Sequence, residues 1–335
     1  MPTPTSPATI YDVATRAGVS ISTVSLALNT PARVSPQTRD KVMNAVDALG
    51  FVPKPDAVAR ARRGVGRIGV LAPHTSHPTV ARRLNGVLRA ADRRPLEIVL
   101  YDQPSAAAAA SPLLASLPVT GRLDGLIVVS LPLDHTVAAR LTTLRLPTVL
   151  CDVRHPGFDT VHTDDTAGGR LAAEHLLERG HRRFGFLGHA NRSDLYRSPS
   201  QRRLDGYQAA LTQAGHTLRP DHIRTAGHGA PSPAVAATRL LAAPDRPAAV
   251  FAADDTLAAA LLRAAQHLRL DVPGDLAVIG YDDGDLAQAL DLSTIRQPLE
   301  ETGRTAMEQL VQRLEAPGPP RDVTLTVELI IRGTT

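Results

Sequence analysis

The stretch from Thr9 to Asn29 reads TIYDVATRAGVSISTVSLALN, and it decides how the N-terminal part of this 335-residue chain folds. The Thr9 hydroxyl can accept a hydrogen bond from an otherwise unpaired amide three residues on, and Asp12 favours the positive end of a helix dipole. These two residues therefore predict the start of a short first helix, which runs roughly from Ile10 to Arg16.

A turn and a second helix follow directly. Gly18 can take a positive φ that other residues resist, and Ser20 caps a helix that runs from Ile21 to about Leu28. Val24 and Leu28 fall on one face of this helix, so they are candidate core residues.

A third helix is predicted at Ser35-Pro36, because Pro is well tolerated at the first helical position after a capping Ser. Its apolar stripe continues to a stop at Gly50, through Val42, Val46 and Leu49. The first two helices and their Gly-containing turn form a helix-turn-helix, which places its second helix in the major groove of DNA.

The residues of this region also resemble a known family. The opening stretch, VSPQTRDKV (34–42) and ALGFVP (48–53) look like the head of LacI/GalR-type repressors over about 45 continuous residues. The resemblance implies that Ile21, Ser22 and Leu26 read base edges of an operator. It implies that other residues hold phosphates, which fixes register without reading sequence. These are Thr9, Tyr11, Ser20, Thr23, Ser25 and Asn29.

Two departures from the family pattern concern DNA contact. Many relatives carry Arg or His where this chain has Leu26, which has no hydrogen-bond donor and offers only apolar contact, for example to a thymine methyl. In the segment that resembles the hinge helix, Arg62 stands where a leucine usually wedges into the minor groove. We therefore expect a smaller or differently made bend in the DNA. The hinge residues are Ala57, Val58, Ala59, Arg60 and Arg62.

The linker also contains a GxGxxG pattern, from Gly64 to Gly69. In dinucleotide-binding proteins this loop joins a strand to a helix, whereas here it stands before and inside a predicted strand. We therefore expect no nucleotide cofactor at this loop.

Charge is distributed unevenly along the chain. Residues 1–67 hold nine Lys or Arg against four Asp, while the remainder is close to neutral. A basic head on a neutral body is expected if only the head meets phosphate, although a solvated charged face gives the same pattern.

No apolar run reaches the roughly 18 residues of a membrane span. Residues 1–8 read as a disordered tail instead of a secretory signal, and the single Cys151 suits a reducing cytoplasm.

From Arg67 onward, short apolar runs alternate with amphipathic stretches such as Asp164 to Arg179 and Thr256 to Arg269. Buried strands that alternate with helices predict an α/β body with parallel sheets and helices on both faces, and two such halves predict two lobes. The strand-like runs are IGVLAP, LEIVLY, GLIVVS, PTVLCD, FGFLGH, AAVFAA and LAVIGYD.

Polar residues stand where these strands end, which is where ligands bind in such sheets. Carboxylates, a hydroxyl and one guanidinium suit a polyhydroxylated ligand, although each residue alone could be an ordinary surface residue. The six candidates are His74, Ser130, Asp152, Arg203, Asp254 and Asp282.

The family resemblance extends through the body, for example in residues 163–188, 251–265 and 272–283. It implies a periplasmic-binding-protein-like sensor that forms a homodimer and holds a sugar or other small effector with four of the six candidates (all but His74 and Ser130). Many relatives have Asn where this chain has Asp254, and only Asn can donate a hydrogen bond. The expected division is a tail (1–8), a DNA-binding domain (9–53), a hinge (54–66) and an effector and dimerisation domain (67–335).

Two other classes of function fit parts of the sequence. An enzyme is disfavoured because the sequence has no nucleophile elbow, phosphate loop or convincing metal cluster. His74 and His77, three residues apart, are only a weak signal for a metal site. An exported solute-binding protein would fit the body, but it would not carry a DNA-binding head. We therefore predict a cytoplasmic, nucleoid-associated transcriptional regulator that acts as a repressor. We expect it to use no cofactor and no metal. The effector, and whether it acts as inducer or corepressor, stay open.

Overall fold

The computed structural model describes residues 8–51, 66–103, 111–190, 197–227 and 230–335. Within these ranges the chain divides into two units. Unit 1 runs to Val161 and resumes at Glu300–Val323, and unit 2 comprises His162–Leu299 and Thr324–Thr335. None of the helices in the described ranges is both long and apolar enough to cross a membrane.

The head consists of three helices, as predicted: α1 (Ile10–Ala17), α2 (Ile21–Asn29) and α3 (Pro36–Leu49). Thr9 and Asp12 form a capping box, in which the Thr9 side chain accepts from the Asp12 amide and the Asp12 side chain accepts from the Thr9 amide. Gly18 ends α1 in the left-handed conformation at φ 66°. The three helices bury a small apolar core that includes Val13, Val24, Val42 and Val46.

The first sheet lies mainly in unit 1 and has the strand order β11-β5-β4-β3-β1-β2. The neighbouring pairs from β2 to β5 are parallel, so the carboxyl ends of these strands meet at one edge. The strands are β1 (Gly66–Pro73), β2 (Leu96–Gln103), β3 (Gly125–Val129), β4 (Thr148–Cys151), β5 (Asp159–Thr163) and β11 (Asp322–Leu325). The helices are α4 (Pro78–Ala91), α5 (Pro112–Ser116), α6 (His135–Thr143) and, beginning at the unit boundary, α12 (Leu299–Glu315).

The second sheet lies in unit 2 and has the order β12-β10-β9-β8-β6-β7. Its neighbouring strands pair in parallel, except that the edge strand β12 pairs antiparallel with β10. The strands are β6 (Phe184–His189), β7 (Ile223–Ala226), β8 (Ala249–Ala252), β9 (Ala277–Asp282), β10 (Ser293–Arg296) and β12 (Glu328–Ile330). The helices are α7 (Asp165–Glu178), α8 (Pro199–Gln213), α9 (Pro233–Leu241), α10 (Asp255–His267) and α11 (Asp285–Ala289).

The predicted α/β architecture with two lobes is confirmed, and each apolar run singled out in the sequence forms a strand. Five further strands were not predicted. β5 has polar side chains in buried positions, and β7 is a four-residue edge strand. β11 and β12 are short edge strands with half-exposed or exposed residues, and β10 is buried but only four residues long. Short strands of this kind lack the continuous apolar run that marks a buried parallel strand.

Each unit contains a helix crossing that only glycine allows. In unit 2, a Cβ on Gly206 of α8 would lie 1.9 Å from the Thr166 carbonyl oxygen of α7. In unit 1, a Cβ on Gly86 of α4 would lie 1.9 Å from the Glu300 carbonyl oxygen of α12. The close approach fixes α4 and α8, and each of these helices carries an arginine of the candidate site.

Candidate functional site

The α2 helix presents its predicted reading residues to solvent. Ile21 and Leu26 are each 40% exposed and Ser22 is exposed, while Val24, Ala27 and Leu28 face the head's core. Tyr11 of α1 is 65% exposed. Exposed apolar side chains on a short capped helix have no role in the head's own core, and they are available for contact with a partner.

The hydroxyl residues predicted to hold phosphates also build the head. The Ser20 Oγ accepts from the Thr23 amide at 3.1 Å and contacts the Thr23 Oγ1 at 2.8 Å. The Asn29 side-chain amide donates to the Ser25 Oγ at 3.1 Å. These bonds fix the orientation of the hydroxyls. The Ser25 oxygen accepts in its bond, so its hydroxyl hydrogen can be donated to a phosphate oxygen, whereas the Ser20 oxygen also contacts the Ser22 Oγ at 2.7 Å and would have to exchange a partner for the phosphate. The predicted hinge residues 57–62 lie outside the described residues.

In unit 1, two of the predicted residues meet a third that the sequence did not single out. The Ser130 hydroxyl donates to the Asp152 Oδ2 at 2.7 Å, and the Arg83 Nη2 lies 3.0 Å from the Asp152 Oδ1. Arg83 and Asp152 are buried, whereas Ser130 is half-buried. The buried Arg83–Asp152 ion pair, with the half-buried Ser130 hydroxyl beside it, can exchange hydrogen bonds with a polar ligand that approaches from the side of Ser130.

Three predicted residues of unit 1 have strained backbones where their strands end. His74 follows β1 at φ 49°, Ser130 follows β3 at φ 52° and Asp152 follows β4 at φ 63°. Residues other than glycine rarely adopt a positive φ, and such backbone conformations concentrate at functional sites. His74 is exposed, unlike the other two.

In unit 2, Arg203 is enclosed by protein groups. Its Nε donates to the Asp165 Oδ1 at 2.8 Å, its Nη1 donates to the Ala253 carbonyl, and its guanidinium lies 3.6 Å from the centre of the Tyr281 ring. Burial acts to lower the pKa of Arg203, but Asp165, Tyr281 and Asp282 reverse this and raise it. The guanidinium is therefore a fixed cation that organises the carboxylates around it.

Asp254 lies at the carboxyl end of β8, where it caps α10 by accepting from the Leu257 amide at 2.7 Å. Its other oxygen pairs with the His189 Nε2. Burial alone would raise the pKa of Asp254, but the His189 hydrogen bond and charge lower it, and the pKa of His189 is raised in return despite its own burial. The pair therefore favours carboxylate and imidazolium.

Asp282 ends β9 with φ 110° and is buried beside Arg203. Its Oδ1 accepts from the Gln297 side-chain amide at 2.5 Å and lies 3.9 Å from the Arg203 Nη1. Burial raises the pKa of Asp282 to about 7, with Asp254 and Asp255 adding to the rise and Arg203 opposing it. This carboxyl can therefore either donate or accept a hydrogen bond near neutral pH.

The six candidates thus form two groups. His74, Ser130 and Asp152 stand at strand ends of unit 1, and Arg203, Asp254 and Asp282 stand in unit 2. Sequence reasoning missed four of their partners, namely Arg83, Asp165, His189 and Gln297. One signal could have found Arg83, because RRLNG at 82–86 repeats RRLDG at 202–206, with the second arginine of each on a site helix.

Among the described residues, one group has the spacing of a metal site, namely Asp221, His222 and Asp245. Arg219 already pairs with both carboxylates, with its Nη1 lying 2.7 Å from the Asp245 Oδ2. The Arg219 guanidinium therefore already offsets one of the two negative charges that a cation would need, and it occupies an oxygen of each carboxylate.

Comparison with family models matches both parts of the chain. Residues 9–54 match the model of bacterial regulatory proteins of the lacI family, and residues 173–335 match a periplasmic binding protein-like domain. The first match covers the three head helices, and the second covers most of unit 2.

Curated relatives match over nearly the whole chain. The HTH-type transcriptional repressor PurR of Photobacterium profundum is 33% identical over 97% of this chain and 98% of its own length. The ribose operon repressor of Escherichia coli is 32% identical over 98% of this chain and 99% of its own.

Solved structures extend the similarity to the fold. The transcriptional regulator CelR in complex with cellobiose has a TM-score of 0.71 at 29% identity, covering 98% of this chain and 100% of that one. The lac repressor dimer bound to operator and an anti-inducer has a TM-score of 0.70 at 27% identity, covering 98% and 99%. A LacI-family regulator from Enterococcus faecium with bound ribose has a TM-score of 0.69 at 26% identity, covering 80% and 98%.

Proposed function

The chain belongs to the LacI family of bacterial regulatory proteins, DNA-binding regulators controlled by small molecules, and we propose that it is a repressor whose effector is a sugar or sugar derivative. The observation that supports this proposal is the combination in one chain of an exposed reading helix with two groups of polar residues, most of them buried, at or beside strand ends.

The proposed DNA contacts are of two kinds, contacts to base edges and contacts to phosphates. Ile21, Ser22 and Leu26 read base edges in the major groove, because they are the exposed residues on one side of α2. The hydroxyls of Thr9, Ser20, Thr23 and Ser25, with Tyr11 and Asn29, hold phosphates. The Ser20 and Thr23 hydroxyls are already oriented by each other, so little freedom is lost when they bind.

The proposed division of the chain follows the sequence expectation: a tail at 1–8, the head at 9–53, a hinge at 54–66 and the sensor at 67–335. In the hinge, Ala57, Val58, Ala59, Arg60 and Arg62 are proposed to approach the minor groove. The chain is proposed to act as a homodimer on operator DNA, in the cytoplasm and at the nucleoid.

The chemistry of the two polar groups supports a polyhydroxylated effector. Asp152 and Asp254 are carboxylates that accept hydrogen bonds from hydroxyls, and Ser130 and Gln297 offer neutral polar groups. The Arg203 guanidinium is already bound by Asp165 at 2.8 Å and lies 3.9 Å from Asp282, so it is committed to protein carboxylates and is less available to select an anion. A transcriptional regulator that is similar in structure is solved with cellobiose, and a LacI-family regulator that is similar in structure is solved with ribose.

A thermal-shift screen of the full chain tests this proposal, since a ligand that binds only the folded state raises the midpoint of unfolding. The panel contains pentoses, hexoses, disaccharides, sugar phosphates and nucleosides. We expect a neutral sugar to raise the midpoint and to change the mobility of the protein–DNA complex in a gel shift with DNA from the gene's own neighbourhood. Stabilisation by nucleosides alone would contradict the sugar assignment.

A further inference from the structure

The head and the body of unit 1 are joined by an ion pair between residues that are far apart in sequence. The Arg140 guanidinium of α6 binds the Asp47 carboxylate of α3 in a bidentate arrangement, with Nε–Oδ1 at 2.7 Å and Nη2–Oδ2 at 2.6 Å. The Arg140 side chain is only 10% exposed, and its Nη1 also donates to the Ala115 carbonyl. Bidentate Arg–carboxylate pairs have the most specific geometry of the protein ion pairs.

Apolar contacts lie beside this pair. Val119, in the turn after α5, is 1% exposed and belongs to the same buried cluster as Val24 and Val46 of the head. Leu144, at the end of α6, packs against that cluster. A cavity of about 490 Å³, lined from both sides by residues that include Phe51 and Ala139, remains next to the pair. Because apolar closure is incomplete, the ion pair supplies the directional part of the contact.

We propose that Val119, Arg140 and Leu144 form a docking surface for the chain's own head, and that the Asp47–Arg140 pair latches the head in one orientation. The reading side of α2 stays open in the docked head, since Ile21 and Leu26 are 40% exposed. The latch therefore prepares the head for DNA instead of blocking it. A head that is already oriented loses less freedom on binding, so the latch strengthens operator affinity.

Hydrogen exchange of the full chain without DNA tests the docking directly. Asp47→Arg and Arg140→Asp should each speed the exchange of α3 amides about fivefold, as expected for a bidentate pair in which Arg140 is largely buried and Asp47 is 36% exposed. The double variant Asp47→Arg/Arg140→Asp should restore protection, because the pair is re-formed with its charges exchanged. Asp40→Arg is the matched control, since it makes the same charge change at an exposed position of the same helix.

Operator binding supplies the second measurement, by fluorescence anisotropy with a duplex that the wild-type chain selects from a random pool. Asp47→Arg should bind it about fivefold more weakly than Asp40→Arg, which carries the same net charge. If Asp47→Arg and Asp40→Arg exchange alike, or if the double variant is not restored, the latch is wrong.

Two further outcomes are distinguishable. Protection that disappears on dilution to the monomer would mean that a partner's head occupies the surface, and it would overturn docking of the chain's own head. If the wild-type chain selects no duplex, the proposed DNA-binding function fails, whereas the exchange data still decide whether the head is docked.

Discussion

The guanidinium of Arg203 belongs both to the proposed effector group and to the hydrogen bonds that stabilise unit 2. It is proposed to organise the effector group, yet its bonds to Asp165 and the Ala253 carbonyl belong to the fold. Among the described residues, replacing it by Ala would leave Asp165 with Arg202 as its one cationic partner, and breaking a buried pair from one side is strongly destabilising. An alanine substitution at Arg203 therefore cannot separate ligand binding from folding, and the neighbouring carboxyl is the better probe.

Asp282→Asn should change how stability depends on pH. The pKa of Asp282 is raised from 3.8 to about 7 in the fold, so the protonated form favours folding. Its contribution is full below about pH 4 and is lost as pH rises toward 7. Asn mimics the protonated carboxyl, so at pH 8 the variant should be more stable than the wild type by at most about 4 kcal/mol. Urea unfolding at pH 4, 6 and 8 measures the difference.

The adjacent Asp283→Asn is the control for this pH series. Although burial acts to raise the pKa of Asp283, its bonds to Arg296 and Arg332 lower it. Its contribution is therefore present above the ordinary carboxyl pKa and is lost as pH falls. The control should be less stable than the wild type at pH 8. An Asp282→Asn variant that is also less stable at pH 8 would contradict the assignment of Asp282 as a buried, readily protonated carboxyl.

Leu26 should decide part of the operator sequence. Leu26→Arg introduces a guanidinium that can donate two hydrogen bonds to a single guanine. Selection from a random DNA pool should therefore return a different base at one position of each half-site. Tyr11→Phe is the comparison, because it removes one exposed hydroxyl and should weaken all sequences similarly. Tyr11 is a cleaner choice than Ser20, whose hydroxyl also caps α2. An unchanged selected motif for Leu26→Arg would remove Leu26 from the reading set.

At the scale of elements, the two units place their arginines in the same way. α4 carries Arg83 and α8 carries Arg203, and each helix is held against a neighbour by a glycine three residues after its arginine. The glycine sets how closely the helix approaches, and this fixes where the guanidinium meets the carboxylate at a strand end. A local sequence signal, RRL followed by Asn or Asp and Gly, thereby encodes the position of a buried charge.

Gly206→Ala tests this crossing. Its Cβ would lie 1.9 Å from the Thr166 carbonyl oxygen, which is backbone and cannot move independently of α7. We expect the free energy of unfolding to fall by about 1–3 kcal/mol or more, as for other forced insertions into well-filled interiors. Gly157→Ala is the control, because its nearest neighbour is the His155 ring at 3.5 Å, an ordinary contact. Equal stability of the two variants in urea would show that the crossing can open without cost.

Sequence predicted the elements better than the contacts between them. The head was predictable because its caps, glycine turn and apolar positions are local signals, and the long buried strands were predictable from their apolar runs. Arg83 meets Asp152 across 69 residues, and His189 meets Asp254 across 65. Such pairings depend on strand order and helix position, which no local pattern contains. The strand-end rule predicted Asp152 and Asp254. It applies equally to His189, the last residue of β6, whereas Arg83 lies on a helix, where this rule does not reach.

At the scale of the molecule, regulation requires that effector binding and DNA binding prefer different arrangements of one chain. A ligand can shift operator affinity only by its own preference between those arrangements, typically about 1–3 kcal/mol of coupling. The chain passes between the units at Val161, Leu299 and Val323. These three connections are therefore the covalent routes by which a change in unit 2 reaches the unit that carries the head.

The final prediction concerns assembly. A head of three short helices reads too few base pairs to select one site, so two heads should act together on half-sites related by a two-fold axis. Light scattering should give twice the 35.5 kDa of one chain, and the footprint on selected DNA should be a near-palindrome. Inserting five base pairs between the half-sites should abolish tight binding, since it turns them to opposite faces of the duplex. A monomer that protects a single half-site with full affinity would disprove the dimeric assembly, because one head would then supply all of the binding free energy.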